Sequence, residues 1–166
     1  MTTRTKPTNR EILLKNQRVG IFVDVQNLFY SAKHLYHSKV DFSRLMDICL
    51  NNRILVRALA YIVQTPDIDQ SGFLNILDNI GFEIKSKALR LRADGTAKGD
   101  WDMGLAIDTI SMVDKLDVIV LVSGDGDFVD LVNMLKSRGV IVEVVSFPST
   151  TAEDLKMAAT TYHALD

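Results

Sequence analysis

Two short runs of mainly β-branched apolar residues, Val19-Gly-Ile-Phe-Val-Asp-Val25 and Asp117-Val-Ile-Val-Leu-Val122, constrain this chain more than any other feature. A strand with one wet face alternates apolar and polar side chains. A nearly continuous apolar run marks a strand buried on both faces, as in a parallel sheet covered by helices. Stretches of helical spacing at 28–36, 42–50, 70–79, 99–115, 128–137 and 152–159 alternate with further strand-like segments at 53–63, 82–91 and 140–147. Such alternation indicates βαβ units with right-handed crossovers. The fold expected is therefore α/β: a three-layer α/β/α sandwich around a mainly parallel five-stranded sheet. Gly81 and Gly139 stand just past two of the helices, where a left-handed residue closes the last turn. Residues 1–17 read as a tail with a short helix at 10–15, and residues 18–166 as a single domain.

Composition narrows the class. A chain of 166 residues, 47% hydrophobic and 24% charged, can bury a core without disulfides. The longest apolar run, 118–122, is too short to span a bilayer, and the first residues lack the apolar stretch of a secretory signal. The single Cys49 allows no internal disulfide, and its apolar helical surroundings make it a small buried hydrophobe. A cytoplasmic protein without membrane contact is expected. A net charge of −2 argues against coating duplex DNA by positive potential, but not against an acidic catalytic centre beside a local basic patch.

Parallel α/β sheets bind ligands outside the carboxyl ends of their strands, where the strand order switches direction. The first apolar run ends in Asp24, followed by Gln26 and Asn27, and the fourth strand ends in Ser123-Gly-Asp-Gly-Asp127. Asp24 and Asp125 thus leave the sheet at one edge, and if their strands are neighbours they approach within a few ångströms. Carboxylates that close repel unless a cation or a shared proton lies between them. Oxygen donors without His or Cys favour Mg²⁺ or Mn²⁺ over Zn²⁺. Gly124 and Gly126 would leave room for a phosphate or metal against the backbone. The bland alternative is that the strand-end aspartates only cap the helices that follow.

A third contribution comes from Lys98-Gly-Asp-Trp-Asp-Met-Gly-Leu-Ala-Ile-Asp108. At about 100° per residue, Met103, Ala106, Ile107, Ile110 and Val113 form an apolar stripe, the expected core face. Asp102 falls beside it in the first turn, where free amides and the helix dipole favour an anion. Asp108 projects to the far side from that stripe and is expected to be solvated or to support the site indirectly. Asp100 is either the N-cap or a site residue. Trp101 is either a base-stacking platform or ordinary packing.

Asp24-Val-Gln-Asn27, the Lys-Gly-Asp-Trp-Asp helix with Leu-Ala-Ile-Asp, and Val-Ser-Gly-Asp-Gly-Asp-Phe resemble the NYN domain family, in particular its bacterial LabA-like branch. The resemblance spans roughly residues 19–147, with three motifs in the expected order. It implies a PIN-like sandwich related to the flap nucleases, with Mg²⁺- or Mn²⁺-dependent ribonuclease activity and RNA as the partner. By position, Asp24 and Asn27 match the first acidic motif, Asp102 and Asp108 the acids of the central helix, and Asp125 and Asp127 the last motif. The family's retention of an acid at Asp108 pulls against its demotion by helical geometry.

The chemistry expected is metal-assisted phosphodiester hydrolysis. Asp24 and Asp125 would be the principal ligands, with Asp102 and Asp127 completing the set. Asn27 would donate to a phosphate oxygen or orient a ligand carboxylate; Ser123 would do the same or make a turn hydrogen bond. Lys85, Lys87, Arg90, Arg92 and Lys98, with only Asp94 among them, form either a surface that guides a nucleic-acid strand or a charged, protected edge. His34 and His37 lack a third converging ligand and read as solvated helix-end residues. A haloacid-dehalogenase-like phosphatase would need an acid where Gln26 stands, and no glycine-rich phosphate loop follows the first strand. The remaining alternative is a non-catalytic module that binds RNA or a protein partner, and a homodimer is compatible with either reading.

Overall fold

The computed structural model describes residues 6, 8–91, 97, 98 and 100–166. A short helix α1 (Asn9–Lys15) precedes β1 (Arg18–Asp24), α2 (Val25–Leu35), α3 (Phe42–Leu50), β2 (Ile54–Gln64), α4 (Ser71–Ile80) and β3 (Glu83–Ala88). After a two-residue antiparallel ribbon, β4 (Arg90–Leu91) with β5 (Ala97–Lys98), come α5 (Asp102–Met112), β6 (Val118–Val122), α6 (Val129–Ser137), β7 (Ile141–Ser146), α7 (Glu153–Ala158) and β8 (Thr161–Ala164). The main sheet has the order β3-β2-β1-β6-β7-β8, and every pairing in it is parallel.

The sheet therefore has six strands rather than the expected five. The strand missed at the sequence level is β8, four residues on the sheet edge with mostly exposed side chains and no apolar pattern to announce it. It follows a helix shorter than 152–159, because α7 ends at Ala158. The segment expected as one strand at 82–91 splits: Leu89 still donates to the Gln64 carbonyl at 2.9 Å, then the chain leaves the sheet for the ribbon. The helix expected over 99–115 begins only at Asp102 and tightens into a 3₁₀ turn at Val113–Lys115.

Alternation along β1 builds two cores. Val19, Ile21 and Val23 pack with Leu28, Phe42, Leu45 and Leu77 on one face. Phe22 joins Leu105, Leu121, Val132, Leu135 and Leu155 on the other. Helices α2–α4 thus cover one face and α5–α7 the other, which is the α/β/α layering. Gly81 and Gly139 close α4 and α6 at φ values of 118° and 88°, strained for any residue with a Cβ. Cys49 is buried among the first core, and burial pushes its thiol up to about 12. No helix among the described residues is long and apolar enough to cross a membrane.

The face that α5 buries differs from expectation in part: Val113 is buried and Ala106 and Ile110 pack against the core, but Met103 and Ile107 do not. Leu105, Thr109 and Val113 are buried, whereas Met103 is 73% and Ile107 57% exposed. Trp101 sets that rotation: its indole N–H donates to the Ile62 carbonyl at 2.9 Å. Gly104 allows it, since a Cβ there would lie 2.6 Å from the Trp101 ring. With the ring seated on the first turn, Leu105 faces the sheet one turn on, and Met103 faces away.

Candidate metal centre

The chain runs from β1 outward to β2 and β3, then returns to place β6 on the other side of β1. The switch in strand order therefore lies between β1 and β6, and the ligand crevice of such sheets opens at the carboxyl ends there. Asp24 is the last residue of β1. Its side chain caps α2 by accepting from the Asn27 N–H at 3.3 Å, and its second oxygen accepts from the Ser123 hydroxyl at 3.1 Å. Ser123 in turn accepts from the Asp125 N–H at 3.2 Å, and the Asn27 amide oxygen accepts from the Gly124 N–H at 2.9 Å. Two bridges thus join the ends of β1 and β6. Ser123 is fully buried, so its hydroxyl orients carboxylate and loop and cannot reach a phosphate. Asn27 holds the loop carrying Asp125.

Asp125 caps the 3₁₀ turn Gly126–Phe128 by accepting from the Asp127 N–H at 2.9 Å, so capping and site-building coexist in one side chain. One carboxylate oxygen each from Asp102, Asp125 and Asp127 lies within 4.8 Å of the others. Asp24, expected as a principal ligand beside Asp125, is outside this tight group; each of its oxygens accepts one hydrogen bond, from Asn27 or Ser123, which leaves a lone pair on each. It nevertheless lines the same cleft of about 340 Å³, with Asn27, Asp100, Trp101 and Tyr61. Asp100 does not cap α5; the N-cap is Trp101, without a side-chain bond, and Asp100 stands exposed at the cleft.

Electrostatics mark the cleft as short of positive charge. Burial first, then Asp125, Asp100, Asp24 and Asp127, push the Asp102 carboxyl up to about 6. Burial likewise raises Asp24, with Asp125 and Asp100 adding to it, while the Asn27 N–H and the Ser123 hydroxyl pull it back. Several acids elsewhere are paired with a cation: Asp117 with Arg18, Glu143 with Arg53, Glu83 with Arg57, Asp108 with Lys85. Among the described side chains no cation pairs with Asp24, Asp102, Asp125 or Asp127. Three oxygens so placed, uncompensated and with only hard donors, fit a small divalent cation that would complete its shell with water.

Asp108 is not solvated and does not line the cleft itself, which leaves the indirect placement of the two expected: Tyr61, which does line the cleft, and Lys85 both donate to its Oδ2 at 2.7 Å. Lys85, expected on a strand-guiding surface, directs its charge at this carboxylate. Lys87 lies 4.6 Å over the ring of Trp101, a cleft-lining residue, but does not itself line the cleft. Arg92 lies outside the described residues, as do the side chains of Arg90 and Lys98. Trp101 is a packed wall, edge-on to Tyr61 at 5.5 Å between ring centres. His34 and His37 are exposed, away from the carboxylates. The room expected at Gly124 and Gly126 is filled by the protein itself. A Cβ on Gly124 would come 2.8 Å from the Thr150 carbonyl, and one on Gly126 3.0 Å from Ala152. Sequence reasoning missed Tyr61, which pairs in register with Asp24 on the neighbouring strand. The alignment of β1 with β2 was the signal that would have found it.

Comparison with known proteins bears on the family and the fold. The NYN domain family model matches residues 18–166. The chain is 30% identical over 153 residues to the low amplitude and bright protein LabA of Synechococcus elongatus, covering 87% of this chain and 82% of that one. Its structure is similar to the crystal structure of a protein of unknown function from Vibrio parahaemolyticus, with a TM-score of 0.85, 34% identity and 97% of each chain covered. The chain belongs to the NYN domain family.

Proposed function

We propose that this chain is a divalent-metal-dependent ribonuclease, hydrolysing phosphodiester bonds of single-stranded or structured RNA with Mg²⁺ or Mn²⁺. The observation that carries the reading is the cluster of Asp102, Asp125 and Asp127, uncompensated by any described cation and placed where the strand order switches. Membership of a family related to PIN-like nucleases supports the substrate class. A bound divalent ion would lower the pKa of an attacking water and offset charge gathering on the phosphate.

The chain's own residues have separable roles in this reading. Asp102, Asp125 and Asp127 hold the ion, with Asp24 and Asp100 adding negative potential from the cleft wall. Asn27 and Ser123 keep the Asp125 loop locked to the end of β1, so that the ligand geometry is set before metal or RNA arrives. Lys87, steadied over Trp101, offers a positive charge to the phosphate backbone.

The test is cleavage of end-labelled single-stranded RNA by the purified protein in millimolar Mn²⁺ or Mg²⁺. Activity should vanish with EDTA and fall about 100-fold or more in Asp125→Asn, with the fold intact by circular dichroism. RNA retained on a filter without cleavage, across RNA and DNA substrates and both metals, would instead establish a binding module.

A further inference from the structure

Beside the acidic cleft lies a second hollow of about 280 Å³, at the small end of the range for ligand sites. Gln26, Tyr30 and Val63 wall both spaces, so a strand crossing the carboxylates reaches this hollow directly. Its chemistry is the reverse of the cleft's. Phe29, Ile62 and Leu89 supply an apolar surface; among the described residues no acid lines it, and Lys33 is the one cation that does. The aromatic surfaces are held in place. Phe29 packs against Phe42 and Phe73, at 5.9 and 5.0 Å between ring centres, and Tyr30 against His34 at 4.5 Å. Tyr30 is nevertheless 62% exposed, a large ring left open beside the mouth.

A second, independent observation concerns Gln70, which also lines the hollow. Its Oε1 is buried and has no hydrogen-bond partner, alone among the described residues. Buried polar atoms in native proteins are almost always satisfied, so nothing in the free protein holds this carboxamide in place, and a turn of it into the adjoining hollow would present its oxygen to a ligand's donor. A nucleobase has what this hollow lacks: a flat π-face for Tyr30 and Phe29, and polar edge groups for the Gln26 and Gln70 carboxamides.

We propose that this hollow is a subsite for one nucleobase of the bound strand, adjacent to the nucleotide whose phosphate meets the carboxylates. Tyr30 provides the stacking face, Gln70 reads the base edge, and Lys33 lies close enough to meet a neighbouring phosphate. The assignment rests on the ribonuclease reading for its substrate.

The test uses a fluorescein-labelled RNA hexanucleotide and its variants with one abasic ribose at successive positions. Wild-type protein should lose about tenfold in kcat/KM when the abasic ribose occupies one particular position near the cut, the scale of a removed stacking contact. Tyr30→Ala should lose a similar factor on the complete substrate and little more on that abasic one, while Tyr30→Phe retains the wild-type rate. Abasic substitutions that stay within twofold at every position, or losses from Tyr30→Ala and the abasic ribose that multiply, would overturn the subsite. If wild-type protein cleaves nothing, the ribonuclease reading fails by itself. The same abasic and Tyr30 contrasts, read by fluorescence anisotropy in Ca²⁺, then decide the subsite by the same criteria.

Discussion

Replacing a half-buried polar residue usually costs stability, yet Asp102→Asn should stabilise the metal-free protein at neutral pH. The Asp102 carboxyl is pushed up to about 6 from an ordinary 3.8. Its folded value lies above its unfolded one, so the folded chain holds the proton more tightly. Stability from this group is therefore complete below pH 3.8 and is lost as pH rises through about 6. A shift of roughly two units corresponds to about 3 kcal/mol. The carboxyl is partly exposed, and solvent screening reduces that to on the order of 1–1.5 kcal/mol. Loss of a carboxylate from the first turn of α5 opposes the gain by about 0.3–1 kcal/mol. The net is on the order of 0–1.2 kcal/mol in favour of the variant, a Tm rise of up to about 5 °C for a chain of this size. Thermal melts in EDTA at pH 4 and pH 8 should show the rise at pH 8 only. Millimolar Mn²⁺ should raise the wild-type Tm and leave the variant nearly unmoved. A variant less stable than wild type at pH 8 in EDTA, or shifted equally at both pH values, would refute the argument that uncompensated charge is stored here.

Further outcomes follow from contacts of the same region and the core. Asn27→Ala leaves the Gly124 N–H without its acceptor at 2.9 Å and should cost about 1–2 kcal/mol by denaturant titration, with a loss of Mn²⁺ affinity by calorimetry. Gly124→Ala drives a Cβ to 2.8 Å from the Thr150 carbonyl and should lower stability by about 1–3 kcal/mol, whereas Gly72→Ala, with nothing within 4 Å, should be neutral or stabilising. Cys49, 1% exposed, should resist Ellman's reagent at pH 8 until guanidinium unfolds the chain; prompt native labelling would contradict its burial.

Much of this architecture was legible because the decisive signals were local. The runs at 19–25 and 117–122 announced strands covered on both faces, and a parallel sheet then placed Asp24 and Asp125 at one edge. What escaped depended on partners distant in sequence. On α5, two apolar stripes were available, and Trp101 bonding to Ile62 on another strand chose Leu105 and Thr109 over Met103 and Ile107. Asp108 became a partner of Tyr61 and Lys85 through the same rotation. The ranking within the acidic cluster was also tertiary. Asp24 is turned toward Asn27 and Ser123, and Asp127 is the residue that completes the close group. Edge strand β8 carried no apolar pattern, since pairing with β7 alone gives it order.

The account turns on one cation bound by three aspartates. Anomalous diffraction from a crystal soaked in millimolar Mn²⁺ tests it most directly. A strong peak about 2 Å from carboxylate oxygens of Asp102, Asp125 and Asp127 is predicted, lost in a crystal of Asp125→Asn. A featureless map at this cleft, or a peak only elsewhere on the protein, would contradict the central claim.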